Sequence, residues 1–219
     1  MKFFRLCLLS MTALLLVSPA LRASTFDLSI CSNITAASGA SCPNTDSTKS
    51  VLTYTDGIKA YGYVIGVGTT DLYVKQGGTD ENGLGIASEV DHEIDTTELI
   101  DLDLSALFSS GIHNVTVNLQ SLQTGEGYKI CQTTVASLGS LSGSCFTGSS
   151  VSATANVNVS LTSTTDILSI TAFNADGQHP AADILVDSVT TPEPEVLTLF
   201  GSGLLCLGGL IRRNRKNLL

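Results

Sequence analysis

Carboxylates crowd one stretch of this sequence: nine of its 20 aspartates and glutamates fall between Asp80 and Asp103. Glu89, Asp91, Glu93 and Asp95 alternate there, so an extended chain would carry all four on one side. Four like charges on one face repel unless water solvates them or a cation bridges them, and hard Ca²⁺ prefers such clusters of oxygen ligands. The EF-type calcium loop is matched in part, with Asp80, Asn82, Gly83 and Glu89 at its third, fifth, sixth and twelfth places, although Gly78 stands where the first carboxylate belongs. A poorer copy, Asn174-Ala175-Asp176-Gly177 followed by Asp183, has Ala172 in the first place. The candidate calcium ligands are therefore Asp80, Asn82, Glu89, Glu93 and Asp95. The competing expectation is a solvated acidic loop with an Asn-Gly turn.

Nothing in the sequence assembles a catalytic residue set. His92, His113 and His179 are scattered, and no Gly-Xaa-Ser-Xaa-Gly elbow occurs. Paired acids hydrolyse glycosides only at defined separations, which a run of acids does not specify. The chain has no Trp, the commonest platform for stacking a sugar; Tyr54, Tyr61, Tyr63 and Tyr73 offer a smaller one, against the alternative that they pack at sheet edges.

The residues around this stretch belong to an exported chain. Lys2 and Arg5 precede an apolar run over 6–17, and small residues follow at Ser18, Ala20, Ala23 and Ser24, the layout of a secretory signal peptide over 1–23. Cleavage after Ala23 is expected, with Ala20 the alternative. A run of 12 residues falls short of the roughly 17–25 that span a bilayer. Of the 11 lysines and arginines, only Lys49, Lys59, Lys75 and Lys129 lie between 24 and 190, against 18 acids, a net charge of −14. So negative a body repels phosphate backbones and anionic lipid, which excludes nucleic acid as a partner and leaves cations and neutral polymers. Cys31, Cys42, Cys131 and Cys145 form an even set, and their two close spacings favour Cys31 with Cys42 and Cys131 with Cys145 over the crossed pairings.

Apolar residues alternate with polar ones at period two over 115–119 and 153–161, and similar segments run near 26–30, 60–67, 99–104, 128–135, 167–173 and 184–189. Gly and Ser clusters punctuate them at spacings typical of antiparallel sheets. The spacing predicts one all-β domain over 24–190, a two-sheet antiparallel sandwich resembling a jelly roll, with one helical turn around 104–111.

The chain ends in a different kind of sequence. Residues 190–216 read TTPEPEVLTLFGSGLLCLGGLIRRNRK: Pro192, Glu193 and Pro194, then 16 apolar and small residues over 196–211, then Arg212, Arg213, Arg215 and Lys216. The three ordered parts over 191–219 closely resemble the PEP-CTERM sorting signal of exported bacterial proteins. That resemblance implies that an integral-membrane exosortase cuts at Pro192, Glu193 and Pro194. The basic cluster would hold the precursor in the inner membrane, and the processed protein would pass to the cell surface or extracellular matrix. At about 1.5 Å per residue the segment gives a short helical transmembrane span with its basic end in the cytoplasm. Asn-Gly-Leu-Gly-Ile at 82–86, Glu-Ile-Asp at 93–95 and the acidic segment after them resemble a pattern in exported PEP-CTERM sandwich proteins. Together these features lead to a noncatalytic surface or biofilm-matrix protein, with extracellular polysaccharide or calcium as candidate ligands. The alternative is an exported hydrolase acting on matrix polysaccharide.

Overall fold

A computed structural model of the chain describes residues 23–35, 49–149, 152–163, 166–178 and 182–192. They form two antiparallel sheets that face each other as a β-sandwich, and residues Thr25–Pro192 make up one compact unit. Numbered in chain order, the first sheet contains β11 (Ala155–Ser160), β8 (Asn114–Gln120), β13 (Leu185–Thr190), β6 (Asn82–Ile86) and β5 (Leu72–Gln76), in that spatial order, with β1 (Thr25–Asp27) also pairing β13. The second contains β10 (Ser144–Ser149), β9 (Glu126–Thr133), β12 (Ile167–Asn174), β7 (Glu98–Asp103), β3 (Lys59–Val64) and β2 (Val51–Thr53), with the short β4 (Gly68–Thr69) also on β3. From β6 onward the chain repeatedly crosses between the sheets, giving the orders β6-β13-β8-β11 in one and β7-β12-β9-β10 in the other.

The expected alternation builds the interior. Val115, Val117 and Leu119 of β8 and Val157 and Val159 of β11 meet Ile100, Leu102, Ile130, Leu168 and Ile170 of the second sheet in one apolar cluster. The register sets Val117 opposite Val157 and Ile170 opposite both Ile100 and Ile130, so aliphatic side chains align across the strands. The helical turn is present as α1 (Ser105–Ser109), with Leu107 buried and Gly111, at φ 87°, just past its end.

Two outcomes differ from the sequence pattern. The segment Asn-Gly-Leu-Gly-Ile is a strand inside the first sheet, not a turn, and its glycines answer crowding. A Cβ on Gly83 would come within 2.9 Å of the Leu185 side chain, and one on Gly85 would overlap the carbonyl of His92. Strands β2, β4, β5 and β10 also form where no alternation announces them; in β5, Leu72, Tyr73 and Val74 are buried in succession. Cys131 and Cys145 face each other across β9 and β10 and are disulfide-bonded. Cys31 is disulfide-bonded as well, and its expected partner Cys42 lies outside the described residues.

Candidate functional site

Strand parity divides the second sheet. Where Ala60, Ile100, Leu102, Leu168 and Ile170 point into the core, Lys59, Tyr61, Tyr63, Leu99, Asp101, Asp103, Ser169, Thr171, Phe173 and Lys129 take the outer face. Register aligns Tyr61, Asp101, Ser169, Cys131 and Cys145 in one row across five strands.

An outer face ordinarily meets water, yet Asp101, Ser169 and Cys131 are completely buried. The connection between β9 and β10, residues 134–143, folds back over them. The Gly139 amide donates to Asp101 Oδ2 at 2.6 Å, the Ser169 hydroxyl to the Ser140 carbonyl at 3.4 Å, and Ser142 meets Thr133 at 3.1 Å. The Cys131–Cys145 bond ties the base of this loop. Beneath it, burial pushes the Asp101 carboxyl up, the Ser169 hydroxyl and Gly139 amide oppose the shift, and Oδ1 has no hydrogen-bond partner among the described residues. Burial likewise raises Tyr61 and Tyr63, with the Asp103 and Asp101 charges adding at Tyr61 and Asp101 at Tyr63.

Beside the loop runs a groove of about 460 Å³ lined by Thr96, Lys129, Leu141, Thr171, Ala172, Phe173 and Asn174. Phe173 is 37% exposed, and Lys129 makes no ion pair among the described residues. A half-exposed phenyl ring and a leucine supply an apolar wall, while hydroxyl, amide and ammonium groups supply hydrogen bonds. That is the composition of a small-ligand site, suited to a molecule with one apolar face and a hydroxyl rim.

The four alternating acids go separate ways, because residues 87–93 bend and do not extend, with His92 at φ 64° and its ring stacked on Tyr73 at 3.9 Å. Glu93, 5% exposed, pairs with Lys75 and accepts from Ser121 Oγ at 2.8 Å. Asp91 accepts from the Glu93 amide at 3.2 Å, and Asp95 from the amide and hydroxyl of Thr97 at 2.5 and 2.8 Å. Asp80 gives its carbonyl to the Ser121 amide, and Asn82 bonds Gln120 and the Gly78 carbonyl. Because residues 82–86 run as a strand, the twelve places from Gly78 to Glu89 do not wrap around one point. Among the described residues no three His, Cys, Asp or Glu side chains stand close enough to hold a metal as they are. At the second template, Asp176 caps a turn by accepting from the Gln178 amide at 2.7 Å.

Sequence pattern missed Glu98, the residue nearest this region's chemistry. It is 1% exposed, its Oε1 accepts from Ser88 Oγ at 2.9 Å, and its Oε2 has no partner among the described residues. Burial pushes its carboxyl up to about 8, with the Glu89 and Asp95 charges adding and the Ser88 bond opposing. Asp183 is pushed up to about 7 by burial and then by Asp91, Glu93, Glu126 and Asp95. The remaining candidates pack: Tyr54 is buried and donates to the Leu28 carbonyl at 3.2 Å, Tyr73 is buried, and His113 lies edge-on to Phe108 at 4.7 Å. His179 lies outside the described residues.

The raised carboxyls make stability pH-dependent in a stated direction. Between the ordinary carboxylate range and about pH 8 the native state binds protons that the unfolded chain has released, so stability falls as pH rises through that window. In chelator, the melting temperature should be lower at pH 8.5 than at pH 5.5. Glu98→Gln should raise it at pH 8.5, by about 2–4 °C for each kcal/mol of ionic burial removed. A lower melting temperature for that variant at pH 8.5 would mean that ionised Glu98 stabilises the fold.

The chain matches no family model, no curated protein and no solved structure. Among the described residues no helix is long and apolar enough to cross a membrane. Residues 193–219, which carry Glu193, Pro194 and the expected span, lie outside the described residues.

Proposed function

We propose that this chain is an exported, noncatalytic surface or matrix protein whose sandwich binds an extracellular polysaccharide on the outer face of its second sheet. The observation that carries the proposal is the groove beside the 134–143 loop, where exposed Phe173 adjoins the hydroxyl of Thr96, the amide of Asn174 and the ammonium of Lys129. A sugar ring presents an apolar face to an aromatic side chain and its hydroxyls to such a rim. The strand orders β6-β13-β8-β11 and β7-β12-β9-β10 support reading the sandwich as a jelly roll, an architecture that also serves lectins. With so acidic a body, a neutral polymer fits better than a polyanion. Export rests on the signal peptide and on the PEP-CTERM resemblance, which makes an exosortase the processing partner.

Binding is favoured over hydrolysis because no carboxylate is among the described residues lining the groove, and Glu98 and Asp101 are sealed from a polymer chain. A glycosidase needs two carboxyl groups facing the scissile bond. The test is a glycan array on the full-length chain together with an assay for released reducing sugar. Phe173→Ala should weaken the bound polymer about tenfold, the loss of roughly 1.4 kcal/mol of stacking and burial. Its melting temperature should stay near that of the parent. Undiminished binding by Phe173→Ala would remove the groove from the function, and sugar release would establish the hydrolase.

A further inference from the structure

We propose that strand β11 is a self-association edge, where a second copy of this chain adds its own β11 antiparallel and joins two sandwiches through one continuous sheet. Strand β11 ends the first sheet on one side and pairs along one flank, with β8. The Leu161 amide donates to the His113 carbonyl at 2.7 Å, which marks that pair as hydrogen-bonded. Stepping by two along an antiparallel ladder, Ala155, Val157 and Val159 bond β8 as well. The backbone groups of Asn156, Asn158 and Ser160 therefore point away from the sheet, and all three residues are exposed. Among the described residues the one group that bonds this outward backbone is the Gln132 side chain, which donates to the Ser160 carbonyl. A carbonyl oxygen can accept a second bond. Open strand edges are templates for further pairing, and folded proteins ordinarily guard them with charge, proline, a bulge or a covering segment. The far edges are guarded in this way. The Leu72 amide of β5 donates to the Lys49 carbonyl and the Gln76 side chain to the Ser29 carbonyl, while the Thr35 amide donates to the Thr53 carbonyl of β2. Strand β11, Ala-Asn-Val-Asn-Val-Ser, has no such device, and its register with β8 runs without a shift from Ala155 to Ser160.

Charge identifies the occupant. The body over 24–190 carries a net charge of −14 and repels its own copies, yet no Asp, Glu, Lys or Arg occurs over 104–125 or 130–165, the stretches that supply β8, β10 and β11. Two copies meeting at β11 bring uncharged strands together, while the acid-rich 80–103 stretch belongs to β6, β7 and the chain between them, with β8 and β13 separating β6 from β11. A charged partner finds no countercharge on this edge, whereas a second β11 is self-complementary. With a two-fold axis at Asn158, that residue faces its own copy, Asn156 faces Ser160, and Val157 faces Val159. The valines point into the core, so aliphatic side chains would align across the joint as Val157 and Val117 align within the sheet. Asn158 Oδ1 accepts from Thr116 Oγ1 at 2.7 Å, which turns the amide nitrogen toward donation across the axis. The groove on the second sheet takes no part, so this assembly stands apart from polysaccharide binding.

The test is sedimentation of the full-length chain in a neutral detergent, which keeps its apolar termini from associating. A monomer–dimer equilibrium is expected with a dissociation constant of about 10⁻⁵ M, the weak end suited to a small interface. Asn158→Lys and, separately, Asn158→Glu should each weaken the dimer about tenfold or more, because each sets like charges against each other on the axis. Mixing these two variants in equal amounts should restore pairing, since lysine then meets glutamate. A second arm does not touch position 158: Asn156→Lys combined with Ser160→Glu creates two opposite-charge pairs across the joint and should tighten the dimer about fivefold. Because the replaced side chains are exposed, the variants should melt near the parent. A parent chain that stays monomeric at a tenfold higher concentration would overturn the proposal. So would a dimer that both Asn158 variants leave undiminished, or a mixture of the two that fails to associate.

Discussion

Gly85→Ala should destabilise the sandwich by about 3 kcal/mol or more, lowering its melting temperature by about 6–12 °C. A methyl group there would overlap the His92 carbonyl oxygen and lie 3.0 Å from the His92 carbonyl carbon and 3.1 Å from Glu93 Cα. All three are backbone atoms, so no side-chain rotation relieves the clash. The 87–94 segment must instead lift away from β6. Lifting it would part Glu93 from Lys75 and Ser121, the His92 ring from Tyr73, and the bridge between Ile94 and Ile184. The control is Gly66→Ala, at φ 77° with open space around it, which should cost only the roughly 1–2 kcal/mol of a left-handed backbone. Thermal melting of the two variants side by side separates the two costs; equal losses would show that crowding at Gly85 is absorbed locally.

The same contact explains what the sequence conceals. Strands β8 and β11 were legible because each has one face in the core and one in water, so polarity alternates with the pleat. Strand β6 was not legible because its glycines look like turn residues, and only the tertiary approach of residues 92–93 shows why glycine is required. Strand β7 misleads in another way. Asp101 and Asp103 mark an outer face, but all six of its residues are buried, Asp101 beneath the returning loop. That loop reads Leu-Gly-Ser-Leu-Ser-Gly, a linker by composition. The closeness of Cys131 and Cys145 in sequence revealed that it is tied at the base, but not that it folds over the sheet.

The acidic region was legible as a concentration of charge, and its wiring was not. Period-two spacing of Glu89, Asp91, Glu93 and Asp95 aligns them only while the backbone stays extended, and the left-handed residue at His92 breaks that condition. Once the chain bends, Glu93 reaches a lysine on β5, and Asp183 comes under the influence of Asp91 and Glu93 from far along the chain. Phe173 escaped notice for the opposite reason. It continues an apolar strand, and only the register that places Lys129 beside Thr171 shows that the outward side chains there line a groove.

Replacing Pro192, Glu193 and Pro194 together with alanine should leave uncut precursor in the membrane fraction, whereas the parent chain should reach the surface without its basic tail. As a helix, the 16 residues over 196–211 would reach about 24 Å against a bilayer core of about 30 Å, a short span that Arg212, Arg213, Arg215 and Lys216 would hold from the cytoplasmic side. The two prolines disfavour helix, which would keep the tripeptide extended for a protease. The fold itself tolerates a cut at that place. Strand β13 ends at Thr190, still paired to Thr25 and Thr116, and Pro192 is exposed just beyond it, so cleavage at or after the tripeptide removes no strand from the sheet. The alanine variant should therefore form the Cys131–Cys145 disulfide and melt like the parent, which separates a processing defect from a folding defect. Intact-mass measurement on surface-released protein distinguishes the two fates of the tail: loss of everything after the tripeptide, only in cells that contain an exosortase, supports sorting. A released chain that still carries Leu219 would make the segment an ordinary anchor or a hydrophobic tail.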